Sequence, residues 1–193
     1  MTAAARRGRP RDEAIDAAIR EAALAELELR GIVAVTMEGI AQRAGVAKTT
    51  LYRRWSNTTD LCVDAMQSLF IPPEPPPEGS GVEQLRWLVQ RARLTWKNER
   101  YAAIMRRVAA DGTANPEMFN AARDRLVGPA VELMAAALEQ AVDEGDVRPD
   151  ADLALARRMM VAPIVAAAFT LRPPLSRAEA DAVVDTVLRG LAP

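Results

Sequence analysis

A chain of 193 residues, 50% hydrophobic and 26% charged, can bury a core as one medium domain or as a small domain joined to a larger one. It has no histidine and one cysteine, which excludes imidazole acid–base chemistry, a Ser-His-Asp triad, His-ligated metal, thiolate metal clusters and an internal disulfide. The net charge of −1 is unevenly spread: residues 1–62 hold ten basic and eight acidic side chains, and residues 63–193 hold fifteen and eighteen. Arg6, Arg7, Arg9 and Arg11 crowd an acid-free arm at the start, which fits either contact with nucleic acid or a solvated tail.

Aromatics are few, and Ala, Leu and Val carry the apolar content, which favours helices. The first helix is expected from Arg11 to Arg30, with Ile15, Ala18, Ile19, Ala22, Ala23 and Leu27 on one face and Gly31 ending it. Thr36 is placed to cap a short second helix through Ala44. Gly45 allows a tight turn, and a third helix follows from Lys48 to Trp55. Asn57 and Asp60 form a variant capping box opening a fourth helix to about Phe70. Residues 71–81, rich in proline, then make a stiff extended connector.

Beyond it, Val82–Asn98 and Arg100–Asp111 are amphipathic. Asn115, Pro116 and Glu117 start a helix toward Gly145, kinked or split at Gly128-Pro129. Asp150 or Asp152 caps a helix over residues 153–171, and Ser176 with Glu179 is a capping box for the last one. The expected fold is all-α, with one unit over 11–71 and another over 82–193. No secretory signal is legible, and the uncharged run Met159–Leu171 is too short to span a bilayer. A cytoplasmic protein without membrane contact is therefore expected.

The segment from Thr36 to Trp55 carries the chemistry. Two short helices around a glycine turn make a helix-turn-helix, in which Ile40, Ala41, Val46 and Leu51 lock the pair together. Lys48, Thr49, Thr50, Tyr52, Arg53 and Arg54 remain outward, a face of donors and hydroxyls without an acid, suited to phosphates and base edges. One of the two arginines is expected to be an ordinary solvated charge. Trp55 reads as core, Tyr52 as a DNA contact, and Cys62 as a small core side chain rather than a redox switch.

Residues 19–61 resemble the DNA-binding segment of TetR-type (tetracycline-repressor-like) regulators. The resemblance rests on Ala22-Ala23-Leu24, Leu27 before Gly31, Thr36, Ile40-Ala41, Ala44-Gly45-Val46, Leu51-Tyr52, Trp55 and Leu61. It implies that the third helix reads the major groove with Lys48, Thr49, Thr50 and Arg53, and that Tyr52 and Thr36 meet the backbone. It also implies that Arg43 assists and that Arg9, in the arm, reaches a neighbouring groove. Two positions depart from the family pattern: Ala47 stands where a capping Ser is usual, and Thr58 where a Lys is usual. The contact at Thr58 becomes a neutral hydrogen bond, so the salt dependence of binding should be shallower.

For the second unit the resemblance implies a helical, ligand-binding homodimer. Met160, Ile164, Ala167, Val183, Val184, Val187 and Leu188, on the last two helices, are expected at the two-fold interface. Large apolar side chains on the middle helices (Trp87, Trp96, Met105, Met118, Phe119, Leu126 and Met134, with Tyr101) suit a cavity for a hydrophobic effector. Arg91, Arg106 and Arg123 are available to orient an anion. The expected protein is a repressor without catalytic residues, metal or cofactor, which binds a pseudo-palindromic operator in double-stranded DNA as a dimer of its own copies and is released by a small hydrophobic effector. The alternatives are an activator or a DNA binder that needs no effector.

Overall fold

The computed structural model describes residues 9–71, 74–170 and 172–193, and every regular element among them is helical. Helix α1 (Arg9–Ala34) contains a non-helical residue at Gly31, with φ 71°, so the continuous helix ends where the glycine predicts. Helices α2 (Met37–Ala44), α3 (Lys48–Tyr52) and α4 (Thr58–Gln67) complete the N-terminal bundle. Both α3 and α4 are shorter than the hydropathy pattern suggests, because each unwinds into turns before Trp55 and Phe70.

The larger part begins with α5 (Gly81–Trp96) and α6 (Glu99–Asp111). Helix α7 (Pro116–Ala122) runs into a π segment (Arg123–Val127), and α8 (Gly128–Asp143) follows. Gly128-Pro129 thus splits the expected long helix, and the extra residue per turn is absorbed just ahead of the proline. Of the two candidate caps for α9 (Leu153–Phe169) it is Asp152 that accepts the N–H of Leu155, at 2.9 Å. Helix α10 (Arg177–Leu191) opens on the capping box of Ser176 and Glu179.

Two apolar cores hold these helices, and their boundary is not the proline connector. The first joins Ile19, Leu24, Leu27, Leu51 and Leu61 of the N-terminal bundle to Tyr101, Ile104, Val108, Met118 and Leu126. The second packs α5 and α8 on α9 and α10 through Leu85, Leu88, Met134, Leu138, Met160 and Val184. Helices α6 and α7 therefore belong, in packing, with the N-terminal bundle. Ion pairs fasten the same seam: Arg100 of α6 donates to Glu21 at 2.7 and 2.8 Å and to Glu28 at 2.6 Å. The Arg100 hydrogen bond holds the Glu21 carboxyl below the usual carboxylate range. Arg125 reaches Asp60 at 2.9 Å on the far side.

Met160, Ile164, Ala167, Val184 and Val187, five of the residues expected at a two-fold interface, are buried within the protomer. Of the seven residues expected there, Val183 and Leu188 keep partial exposure.

Candidate DNA interface and effector cavity

The recognition helix is set by small local decisions. The Thr36 hydroxyl accepts the N–H of Gly39 at 3.1 Å and starts α2. Gly45 then takes the left-handed conformation, with φ 67° and ψ 31°, and its N–H closes on α2 carbonyls. A side chain bearing Cβ resists that φ, so glycine fixes the angle at which the chain turns into α3. Leu51 is fully buried and pins α3 by its inner face. Ala47 offers no side-chain cap to α3, as its identity predicts.

Lys48, Thr49, Tyr52 and Arg53 are exposed, with Tyr52 at 53%, and Thr50 is half-buried. Lys48 has only a loose pairing, its ammonium 3.9 Å from the Glu38 carboxylate. Arg53 makes no ion pair among the described residues, whereas Arg54 is held by Asp16 and, at 3.1 Å, by Asp12 of α1. Arg54 is therefore the structural member of the pair and Arg53 the outward one. Trp55 is core, its indole N–H donating to Asp64 at 2.9 Å. The Arg43 Nε donates at 2.8 Å to Glu26, a buried carboxylate that also holds Arg30 at 2.7 Å. Thr58 opens α4 half-buried, and the side chains of Arg9 and Arg11, with Arg6 and Arg7, lie outside the described residues.

A cavity of about 220 Å³ lies under the end of α4. Of the residues expected to line one, Trp87, Trp96, Tyr101 and Met134 do so. Met105, Met118, Phe119 and Leu126 do not; they fill the seam between the N-terminal bundle, α6 and α7. The wall is completed by Phe70 and Ile71 after α4, by Val127, Ala130 and Val131 around the start of α8, and by Arg157, Arg158 and Val161 on α9. The α9 arginines were the residues that composition hid, because a charge beside an apolar run reads as a solvated one. Of the three arginines considered for an anion, only Arg91 reaches this cavity. Its guanidinium sits 5.0 Å over the Trp87 ring and 3.6 Å from the Glu74 carboxylate of the connector. Trp96 meets Tyr101 edge-on at 5.3 Å and Phe169 at 6.0 Å, and Tyr101 meets Phe70 at 5.8 Å.

Two family models match in sequence order: the bacterial regulatory proteins of the tetR family over residues 19–65, and the tetracyclin repressor-like C-terminal domain over residues 75–187. The chain belongs to the TetR family of transcriptional regulators. It is 30% identical over 161 residues to the HTH-type transcriptional regulator YdeS of Bacillus subtilis (strain 168), covering 82% of this chain and 80% of that one. Among solved structures it is similar in fold to the regulator FadR of Bacillus subtilis in complex with stearoyl-CoA, with a TM-score of 0.66, 16% identity, and 90% and 98% of the two chains covered. A TetR-family regulator from Pseudomonas syringae pv. tomato str. DC3000 gives a TM-score of 0.65 at 24% identity, covering 92% and 94%.

As in the family's DNA-binding regulators, the helix-turn-helix leads and an all-helical part follows, and no described helix is long and apolar enough to cross a membrane. Within this TetR-family fold Cys62 is buried in the head core, and burial pushes its thiol up to about 12. Native protein at pH 8 should therefore resist alkylation, while urea-unfolded protein reacts; rapid labelling of the folded state would contradict this placement. The unfolded thiol loses its proton near 9 and the folded one does not, so this contribution to stability is complete below pH 9 and declines as pH rises toward 12.

Proposed function

We propose that the protein is a dimeric transcriptional repressor that binds a pseudo-palindromic operator and is released by a small-molecule effector held in the cavity under α4. Residues 11–71 serve as the DNA-binding unit and 82–193 as the effector-binding and dimerising unit, acting in the cytoplasm. The observation that carries this reading is that Phe70 and Ile71, which leave α4, form part of the cavity wall. An occupant therefore bears on the helix that follows the recognition helix. A ligand that favours one placement of α4 shifts the DNA-competent population, and about 5.5 kcal/mol of differential affinity converts a 1:99 mixture to 99:1. The neighbour in complex with stearoyl-CoA supports a small molecule as the occupant, and repression is the family's commoner mode.

At the DNA, Lys48, Thr49, Thr50 and Arg53 take the major groove, while Tyr52, Thr36 and Thr58 meet the backbone and Arg9 a neighbouring groove. Dimerisation uses the outer side of α9 and α10. Leu155, Met159 and Phe169 are 46, 50 and 40% exposed, and with Ala162 and Ala166 they recur at helical spacing on α9. Leu155 and Met159 border a depression shared with Thr186 and Gly190 of α10. A second copy turned about a two-fold axis closes this face as a four-helix bundle and sets the α3 helices at half-sites about 34–36 Å apart.

The test is fluorescence anisotropy with DNA from upstream of the protein's own gene, against scrambled DNA, at two salt concentrations. Saturable binding of two protomers per site that survives the higher salt supports the reading. Equal, salt-labile binding to both DNAs removes the operator, and no binding at low salt removes the DNA head. Lys48→Ala should weaken the operator by about 1–3 kcal/mol and scrambled DNA by less, so that the ratio between them narrows; an unchanged ratio would take Lys48 off the base edges.

A further inference from the structure

The cavity has a chemical polarity that the operator-release reading does not specify. Its interior is aromatic and aliphatic, with Trp87, Trp96, Val131 and Met134 in the wall, yet three guanidinium groups, Arg91, Arg157 and Arg158, also line it. No carboxylate lies among the lining residues. Arg157 and Arg158 form no ion pair among the described residues, where most of the other arginines have an acidic partner. Arg91 is steadied from one side by the face of Trp87. It also meets the carboxylate of Glu74, in the connector, at 3.6 Å.

A second polar group lies deeper. Tyr101 is 1% exposed, lines the cavity, and its hydroxyl has no hydrogen-bond partner among the described residues. Burial pushes its ionisation upward, so the hydroxyl stays neutral and can donate. A buried hydroxyl without a partner is costly in a folded protein unless something else completes it. Like charges along a low-dielectric wall disfavour a cation and favour an anion, and guanidinium groups match a carboxylate in shape.

We propose that the effector is an amphipathic anion, with its apolar body between Trp87, Trp96 and Met134 and its carboxylate-like group against Arg157 and Arg158. The Tyr101 hydroxyl takes a polar atom of the bound molecule. This assignment rests on the cavity being the effector site, but it concerns what binds there and not whether binding releases DNA.

The full-length protein would be titrated with sodium decanoate, decan-1-ol and decyltrimethylammonium below their micellar concentrations. The readout is the fluorescence of Trp87 and Trp96, with operator anisotropy followed in parallel. Decanoate is expected to bind saturably and at least tenfold more tightly than the alcohol, with no saturable binding of the cation. The double variant Arg157→Gln/Arg158→Gln, checked by circular dichroism, should bring decanoate down to the level of the alcohol while leaving the alcohol unchanged. Alcohol and anion binding equally, a preference that persists in the double variant, or no saturable binding of decanoate would each overturn the proposal. Decanoate that fills the cavity with the stated preference but leaves the operator complex intact would uphold the anion site and refute release through it.

Discussion

Exchanging Met159 for glutamate should give a folded monomer, whereas cutting its neighbour Met160 to alanine should give a dimer that melts early. The two methionines are adjacent and chemically identical, but one is 50% exposed on the outer side of α9 and the other is fully buried among α5, α8 and α10. A carboxylate at 159 would have to lose its water to enter an apolar two-fold contact, and it would do so twice per dimer. Sedimentation should show the monomer. Operator affinity should fall by about 10²–10⁴-fold, since each head then binds without the effective concentration that its tethered twin provides. Met160→Ala leaves a cavity and should cost about 2–5 kcal/mol, or about 4–20 °C in melting temperature for a chain of this size. A Met159→Glu protein that stays dimeric would move the interface off this face.

Gly81→Ala should be the most damaging of the glycine substitutions in α5 and beyond. A Cβ there would stand 2.5 Å from the carbonyl oxygen of Ala137 and from the amide nitrogen of Ala141, and 2.9 Å from the Ala141 Cα. These are backbone atoms in the middle of α8 and cannot rotate away, so relief requires prising α5 off α8 and breaking the 2.8 Å hydrogen bond from the Gly81 N–H to Glu144. Overpacking costs about 1–3 kcal/mol, and a backbone clash belongs at the upper end, which lowers the melting temperature by about 6–12 °C. Gly128→Ala is the control: its added Cβ meets nothing within 4 Å and its φ of −47° and ψ of −52° suit alanine, so it should be neutral or slightly stabilising. Equal melting temperatures for the two variants would mean that α5 and α8 are not packed this closely.

Local chemistry made the helix starts, α3 among them, legible in the sequence. Thr36, Asn57, Asn115, Asp152 and Ser176 all act as caps where their side chains promise it, because a cap is decided within four residues. The outward set on α3 follows from the same short range, since Leu51 and Trp55 leave few choices for which face points in. Orientation of the last two helices was not legible. Residues 159–171 are apolar nearly all round, so hydropathy carries no phase, and the buried line through Met160 and Ile164 is set by packing against α5, α8 and α10. The cavity was half legible for a related reason. Met105, Met118, Phe119 and Leu126 have the right chemistry, but α6 and α7 turn toward the head, a choice set by contacts distant in sequence such as Arg100 with Glu21.

That seam bears on how heads and bodies are exchanged between relatives. A chimera cut at the proline connector would carry α1 to α4 from one parent and set them against α6 and α7 from another, across a surface where Ile104, Val108 and Met118 are buried. The inherited unit of DNA specificity is therefore larger than the helix-turn-helix. New operator preferences acquired by recombination should persist only when both sides of the seam travel together or already match, while point changes on the exposed face of α3 can alter specificity without that constraint.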